Sequence, residues 1–270
     1  MRPVFEIIPE AIYFQQTNLI CELSPDAFSY VFENNLDKKF HGLSVFHFSD
    51  KSNILSELKE IFNEQPLLRK GFKRVSISYV GEESTLLPTE LYQPGENEQL
   101  LNSMFGDMND CIVSTDFIAD KQIYNVYRLL ADLHSLIVEQ FPVAAISHQY
   151  SLLIKQDVKG DKLSVIFYKQ FFIAVLYKEG ELQMVNTFKY RSATDVVYHL
   201  KNLCIQFGID DITLHLGGMI ELDSDLHKEI KHYFNTITFH QLPSEHQFTS
   251  ALQELPPHYF SHLFSLASCV

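Results

Sequence analysis

The strongest constraint in this sequence is an order of elements that occurs twice. In the second half, three short runs rich in Val, Ile, Phe and Tyr are separated by Lys169-Gln170 and by a turn containing Gly180. This pattern predicts a three-stranded antiparallel meander. An amphipathic helix between Ser192 and Gly208 follows, then the strand "DITLHLGG", the helix "DSDLHKEIKHYF" and the strand "TITFH". The predicted order is βββαβαβ.

The first half repeats this order as far as its fifth element. "NLICELS", "DAFSYVF" and "GLSVFHF" predict a second meander. "SDKSNILSELKEIF" predicts a helix capped by Ser49, Asp50 or Ser52, and "KRVSISYVG" predicts a strand. Residue identity between the halves is negligible, so the order of elements alone indicates an internal duplication.

A segment rich in Pro and Gly interrupts the first half. It predicts an insertion at about residues 82–110, with one short helix around residues 98–104. After it come a hairpin turning at Asp120-Lys121, the helix "LADLHSLIVEQF" and the strand and last helix in "VAAISHQYSLLIKQ". We place the boundary near Val158, which predicts two domains, residues 1–157 and 158–270.

Three antiparallel strands, a crossover helix, a strand, a helix and another strand resemble the ribonuclease H-like unit. Two such units in tandem, the first with an insertion, resemble the α/β architecture of the actin-like ATPases. On its element order, "LLPTELY" and "LHLGGM", the chain resembles a family of bacterial proteins of unknown function, of the Bacteroidetes type, with this fold. It is more distantly similar to the actin-like proteins of type IV pilus assembly. The repeated βββαβ order predicts a five-stranded mixed sheet in each unit.

The resemblance also implies an ATP and Mg²⁺ site in the cleft between the units, formed by three glycine-bearing loops. Two are the turns between the first two strands of each unit, where Asp-x-Gly presents backbone N–H groups to phosphate and a carboxylate to the metal. Glycine suits these turns because a side chain would keep phosphate oxygens from the backbone. The third loop is an apolar strand ending in Gly-Gly, against which the adenosine lies.

Only the third loop has a match in this sequence. Gly217 and Gly218 either bind adenosine or form a strand-to-helix turn close to another backbone. The first turn retains Asp26, but Pro25 removes an N–H donor, and the second turn, "FYKQFFIA", has neither Asp nor Gly. Catalysis of phosphoryl transfer depends mostly on neutralising the charge that develops on the transferred group, and this requires a carboxylate to hold the metal. We therefore predict a degenerate site, with Asp26 catalytic only if the site is active.

Composition excludes some classes of partner. The formal charge of −13 and the lack of a basic stripe argue against nucleic acid. The longest apolar run, "FFIAVLY", is far shorter than the ~20 residues that span a bilayer, and the N-terminus lacks the apolar run of a signal peptide. Four cysteines without CxxC spacing predict a reduced, cytoplasmic protein.

Other candidate chemistry is weaker. His258 and His262 have the i, i+4 spacing of helical metal ligands, but they lack a third ligand, so we expect two partly exposed histidines on a C-terminal helix and no metal. His47 and Asp50 resemble half of a catalytic triad, but no nucleophile accompanies them, and Asp50 is better explained as a helix cap. His148 at a strand end carries no assigned role.

Two functional hypotheses follow from the sequence. The first is a cytoplasmic scaffold that binds an unknown protein partner through the cleft or the insertion, without catalytic turnover. The second is an ATP-dependent enzyme, an ATPase or kinase-like phosphotransferase, with Asp26, Gly217 and Gly218 at the nucleotide.

Overall fold

A computed structural model describes residues 2–155 and 158–269 of the chain. The chain divides into two compact units. The first contains the described residues up to Lys155, together with Ser244–Glu254 and those from Leu266 onward. The second extends to Pro243 and includes Leu255–Ser265. The predicted domain boundary between residues 157 and 158 stays a prediction, since residues 156 and 157 lie outside the described part of the chain.

The strands and helices follow each other closely along the chain. The strands are β1 (Phe5–Ile7), β2 (Thr17–Leu23), β3 (Ala27–Asn34), β4 (Lys39–His47), β5 (Arg74–Tyr79), β6 (Ser84–Pro88), β7 (Cys111–Ile118), β8 (Ile123–Leu130), β9 (Ala145–His148), β10 (Lys162–Phe167), β11 (Phe171–Lys178), β12 (Glu181–Lys189), β13 (Leu214–Gly218), β14 (Ile237–Phe239) and β15 (Gln247–Phe248). The helices are α1 (Ile54–Glu64), α2 (Asn97–Phe105), α3 (Ala131–Gln140), α4 (Gln149–Leu153), α5 (Ala193–Gln206), α6 (Asp225–Tyr233), α7 (Ser250–Gln253) and α8 (Ser261–Ser265).

The first unit is organised around a mixed sheet with the order β1-β4-β3-β2-β5-β9, to which β15 adds by pairing with β4. The meander β2–β4 is antiparallel, whereas β5 is parallel to β2 and β9 is parallel to β5. The prediction of five strands is wrong for this unit. The two additional strands are only three and two residues long, too short for a periodic pattern, and both pair with the outer edge of β4.

The insertion in the first unit is a small structure of its own, which we call the inserted module (residues 82–130). Its sheet has the order β6-β8-β7, and α2 begins and ends close to the predicted short helix. The β7–β8 hairpin turns at residues 119–121, as the sequence predicts, and Gln122 takes a left-handed conformation there. The module is larger than the predicted 82–110, because β7 and β8 belong to it.

The second unit has the predicted five-stranded mixed sheet, with the order β12-β11-β10-β13-β14. Strands β10 and β11 are nearly continuous apolar runs because both of their faces are covered. Helix α5 begins at a capping box formed by Ser192 and Asp195, and Gly208 follows it with φ of +62°. Val196, Leu200 and other α5 side chains pack on the sheet in a continuous core.

Candidate functional site

The Gly-Gly pair lies at the end of β13, where β13 runs parallel to β10 in the second unit. Gly218 has φ of +77°, and a Cβ at this position would lie 2.2 Å from the carbonyl oxygen of Phe167. The N–H of Gly218 donates to the His258 carbonyl (2.8 Å), and the next N–H, of Met219, donates to the Phe167 carbonyl (2.8 Å). Glycine is required here because two neighbouring backbones approach it closely.

Gly217 meets a different neighbour, the imidazole of His240. A Cβ on Gly217 would lie 2.3 Å from His240 Nδ1. The other ring nitrogen of His240, Nε2, is hydrogen-bonded to the Ser164 hydroxyl (2.9 Å). Burial and the nearby charge of Lys162 lower the pKa of His240 to about 3, so the ring is neutral at physiological pH. The imidazole occupies the space that the absent side chain of Gly217 leaves.

The first of the two predicted phosphate turns joins β2 to β3 and uses its own backbone donors. The Ser24 N–H donates to the Ala27 carbonyl (2.9 Å), and the N–H groups of Asp26 and Ala27 donate to Ser24 Oγ at 3.3 and 3.0 Å. Pro25 has no N–H to offer. Asp26 is 9% exposed, and its carbonyl accepts from Phe48 N–H (2.9 Å). The turn is a closed hydrogen-bonded loop.

The second predicted phosphate turn joins β10 to β11 in the other unit. The Tyr168 N–H donates to the Phe171 carbonyl (2.8 Å), and the two rings stack with centroids 4.5 Å apart. Tyr190 holds the turn with two hydrogen bonds, because its hydroxyl donates to the Tyr168 carbonyl and its N–H donates to the Gln170 carbonyl. Lys169 and Gln170 are exposed. As the sequence indicates, the turn contains neither a carboxylate nor a glycine.

Asp26 belongs to the first unit, whereas Gly217 and Gly218 belong to the second.

The expectation for the two C-terminal histidines is wrong in part. His258 precedes α8 and is buried, with Nε2 2.8 Å from the Ile220 carbonyl, while His262 lies on the helix. Across residues 2–155 and 158–269, no group of three or more His, Cys, Asp or Glu side chains is arranged to hold a metal.

His148 is a buried, hydrogen-bonded histidine whose environment could not be predicted from the sequence. It is fully buried at the end of β9, where Tyr150 N–H donates to its Nδ1 (3.1 Å) and its Nε2 lies 3.1 Å from the Gly81 carbonyl. The proton therefore sits on Nε2 and donates to that carbonyl. Burial lowers the pKa of His148 to about 3. The ring is a neutral structural group at physiological pH.

The backbone of His148 connects this strand end to the inserted module. Its N–H donates to Asp116 Oδ2 (2.8 Å), and the hydroxyl of Tyr127 donates to Asp116 Oδ1 (3.2 Å). Burial raises the pKa of Asp116 despite these hydrogen bonds. Close by, the Asn125 amide donates to the Ser151 hydroxyl (2.9 Å). Buried polar groups thus join the inserted module to the main sheet of the same unit.

The surface of the inserted module is apolar and acidic. Six large apolar side chains of the module are more than a third exposed: Leu91, Met104, Phe105, Met108, Phe117 and Leu130. A groove of about 340 Å³ lies beside α2 and contains Leu87, Leu91 and Leu100 in its wall. The module carries nine Asp or Glu and two Lys or Arg, and one of these cations, Arg128, is paired with Glu83 at 2.7 Å.

The fold built by these two units is that of the actin-like ATPases, as the sequence predicts. The chain is similar to a Bacteroides thetaiotaomicron protein with actin-like ATPase fold and unknown function, with a TM-score of 0.80 and 22% identity. The match covers 96% of this chain and all of that one. It is also similar to a structure of the PilM-PilN type IV pilus biogenesis complex, with a TM-score of 0.59 and 11% identity. That match covers 93% of this chain and 97% of the other.

Residues 10–237 match the family described as "Protein of unknown function (DUF3822)". The chain belongs to this family, which confirms the predicted resemblance to a family of unknown function. Among curated proteins, none matches the sequence. Within the described residues, no helix has both the length and the apolar character that crossing a bilayer requires.

Proposed function

We propose that this protein is an actin-like fold that has lost ATP hydrolysis and serves as a cytoplasmic protein-binding scaffold. The observation that carries the proposal is that other parts of this chain already use the backbone donors and the space that a bound nucleotide would need. The Ser24–Ala27 turn consumes its N–H donors internally, and His240 occupies the space beside Gly217. Loss of one preorganised donor already costs a catalytic site ~100- to 1,000-fold in rate.

Steady-state phosphate release from Mg·ATP tests the loss of hydrolysis. We expect equal background rates for the wild type, for Asp26→Ala and for Asp210→Ala, whose side chain is exposed in the second unit. Turnover that disappears in Asp26→Ala and persists in Asp210→Ala would instead establish the ATP-dependent enzyme. Thermal unfolding with and without Mg·ATP separates binding from turnover, since a ligand of the native state raises its stability by mass action.

The binding surface in this proposal is the inserted module. Its apolar side chains stand outward, with Leu91 66% and Phe117 48% exposed. Exposed apolar side chains that lie together are typical of an interaction site, and Leu91 lies with Leu87 and Leu100 in the groove beside α2. The similarity to a structure of PilM in complex with PilN supports protein binding as a use of this fold, although the likeness itself is one of fold alone.

Charge defines the partner that this surface suits. Acidic residues outnumber basic ones in the module by nine to two, and the guanidinium of Arg128 is committed to Glu83, Asn102 and Gly106. Leu87, Leu91 and Leu100 supply the apolar part of a groove whose other wall residues, Glu96 among them, are polar or acidic. The complement is an amphipathic segment of another protein, with apolar side chains on one face and Lys or Arg around them.

A pair of designed peptides tests this surface. We expect a Leu/Lys amphipathic peptide to bind the wild type, and the same peptide with Glu in place of Lys not to bind. Leu91→Ser should weaken binding about five- to tenfold, because it removes an apolar contact without changing charge. Ile205→Ser, at a 78% exposed position on α5, is the matched control and should bind as the wild type does. Equal binding by both peptides, or by both variants, contradicts the assignment.

A further inference from the structure

The inserted module contains a long strand, β7, whose outer edge is open. The order of its sheet is β6-β8-β7, so β7 pairs with a strand on one side only. The N–H of Ala131 donates to the Asp110 carbonyl (2.8 Å), and the hydrogen-bonded pairs of an antiparallel ladder alternate from there. The even-numbered residues of β7 therefore direct their N–H and C=O groups to β8. Val113, Thr115 and Phe117 direct theirs outward, where no group in the described part of the chain binds them.

Open strand edges are usually protected, because they can pair with strands of other molecules. The other long edge strand, β12, is protected in two ways. Its register with β11 shifts between Leu176 and Tyr177, and the N–H of Thr187 donates to the side chain of Asn186 (2.8 Å). The remaining edge strands of the described sheets are at most five residues long. Strand β7 has eight residues, an unbroken register with β8, and neither Lys nor Pro.

The side chains of β7 leave the edge accessible. Residues 111–117 are half-buried or exposed. The one charged residue, Asp116, uses its carboxylate to accept hydrogen bonds from the His148 N–H and the Tyr127 hydroxyl. The strand is otherwise rich in Ile, Val, Thr and Phe, which favour extended backbone. An added strand therefore meets regular backbone without an uncommitted charge.

A stack of three aromatic rings ends at this edge. The ring of Tyr92 stacks on Tyr124 with centroids 3.7 Å apart, and Tyr124 stacks on Phe117 at 4.7 Å. Phe117, on the edge strand, is 48% exposed. Side chains directly opposite each other on neighbouring strands lie about 4.5–5.5 Å apart. An aromatic side chain on an added strand would therefore continue the stack beyond Phe117.

We propose that an extended segment of another protein binds here as a strand added to β7, with an aromatic side chain against Phe117. Backbone groups of the added strand pair with those of Val113, Thr115 and Phe117, which is a known mode of peptide recognition. The module has nine acidic and two basic residues, a charge that repels a second copy of this edge and favours Lys or Arg in the partner.

This edge is a second surface of the module. The groove beside α2 includes Leu87 of β6, the strand at the opposite edge of the same sheet. The new inference rests on the proposed function only in that the module binds other proteins. The two surfaces can therefore be tested separately.

A capped heptapeptide tests the added strand. It has Lys at both ends and a central Phe flanked by Val and Thr, and its twin has Ala in place of Phe. We expect the Phe peptide to bind and the Ala peptide to bind about tenfold more weakly. In hydrogen exchange followed by NMR, the Phe peptide should protect the amides of Val113, Thr115 and Phe117, the alternating pattern of a strand edge. Absence of this protection at millimolar peptide contradicts the proposal.

Proline variants locate the edge. Val113→Pro removes one outward N–H, so it should weaken binding of the Phe peptide about tenfold or more. Val185→Pro, at an outward position of β12, is the matched control and should bind as the wild type does. Circular dichroism and the melting temperature confirm that both variants are folded. Equal binding by the two variants would place the peptide elsewhere and overturn the proposal.

Leu91→Ser separates this edge from the groove. It should leave binding of the Phe peptide unchanged, so loss of the groove's Leu/Lys peptide alone contradicts the groove and retains the edge. Sedimentation of the wild type tests the alternative occupant. A concentration-dependent dimer that Val113→Pro abolishes would show that a second copy of the chain occupies the edge, and the assignment to another protein would be wrong.

Discussion

In both units, the residue that follows one parallel strand donates its N–H to the last residue of the neighbouring strand, and we call this hydrogen bond the joint. The residues that form the joint differ between the units. In the first unit, the N–H of Val80 donates to the carbonyl of Leu23 at the end of β2 (2.8 Å). In the second, the N–H of Met219 donates to the carbonyl of Phe167 at the end of β10 (2.8 Å). The two joints are structurally equivalent, although the sequences around them share no motif.

The difference lies in the residue that precedes the donor. In the first unit it is Tyr79, which pairs with Leu23, and burial raises the pKa of its hydroxyl to about 12. In the second it is Gly218, which pairs with Phe167 in a left-handed conformation and also donates to His258. The joint itself therefore accepts a large side chain. Glycine becomes necessary only where the backbone turns left-handed between two other backbones.

Each unit also places a neutral histidine beside this joint. His148 and His240 both have a pKa lowered to about 3, chiefly by burial. The ring of His148 is hydrogen-bonded to Gly81 and Tyr150, whereas that of His240 lies against Gly217 and binds Ser164. The same residue type thus bonds to backbone groups of the loop after β5 and of α4 in one unit, and fills the space over a glycine in the other.

The sharpest test of this comparison is Gly218→Ala. The new Cβ would meet the Phe167 carbonyl in a left-handed backbone, so we expect the free energy of unfolding to fall by about 3–5 kcal/mol. Gly95→Ala is the matched control, because nothing lies within 4 Å of its Cβ position, and it should change stability by less than about 0.5 kcal/mol. Urea unfolding of both variants measures the difference, and equal stabilities would refute the structural role of Gly218.

Gly217→Ala should lower the free energy of unfolding by about 2–3 kcal/mol, because its Cβ overlaps the His240 ring. A double-mutant cycle with His240→Ala identifies the cause. Removing the ring makes room for the methyl group, so the double variant should be more stable than the sum of the single effects by about 1–2 kcal/mol. Strict additivity in urea unfolding would show that another contact determines the need for glycine.

The buried histidines predict a dependence of stability on pH. Unfolded His148 binds a proton near pH 6.5, but the folded residue does so only near pH 3, so the unfolded state takes up more protons between these values. The free energy of unfolding should therefore fall as the pH drops below about 6.5, by about 2 kcal/mol between pH 7 and 5 for this residue. Urea unfolding at both pH values measures this loss.

His148→Gln should remove that share of the pH dependence, whatever its effect at pH 7, and His240→Gln should do the same in the second unit. His232→Gln, at an exposed position of α6, is the control and should leave the dependence intact. If His148→Gln and the wild type lose the same stability between pH 7 and 5, the folded protein accommodates a charged His148 and its description as a neutral group is wrong.

The smallest expected effect concerns the hydroxyl that fixes the His240 ring. Ser164→Ala removes the hydrogen bond to Nε2 and should lower the free energy of unfolding by about 1 kcal/mol. Ser103→Ala, whose exposed hydroxyl donates to a carbonyl one turn earlier in α2, should cost less. An effect of Ser164→Ala no larger than that of Ser103→Ala would indicate that packing on Gly217 alone holds the ring.

Local patterns in the sequence predicted most of the fold. The cap at Ser192, the apolar spacing of α5 and the runs of β10 and β11 depend on neighbours in sequence, and all of them form as expected. The strands β1 and β15 carry no such pattern. Their pairing depends on an open edge of β4 that only the folded sheet provides.

The candidate site could be predicted only in part for a similar reason. The sequence indicates that Gly217 and Gly218 lie where a side chain is not tolerated, and the structure identifies the neighbours as His240 and Phe167. His148 showed no signal because its partners, Gly81 and Asp116, are 67 and 32 residues away in sequence. A buried polar network becomes visible only after these distant segments are brought together.

The segment Ser244–Glu254 of the first unit has a consequence for synthesis of the chain. The imidazole of His246 lies 2.9 Å from the carboxylate of Glu33, a residue made 213 positions earlier. At the usual translation rates of about 5–20 residues per second, β4 waits about 10–40 s on the ribosome for β15. During that interval the outer edge of β4 is incomplete, and an incomplete edge invites pairing with other strands. We expect nascent chains shorter than about 250 residues, in which β15 is missing, to depend on chaperones to a degree that the finished protein does not.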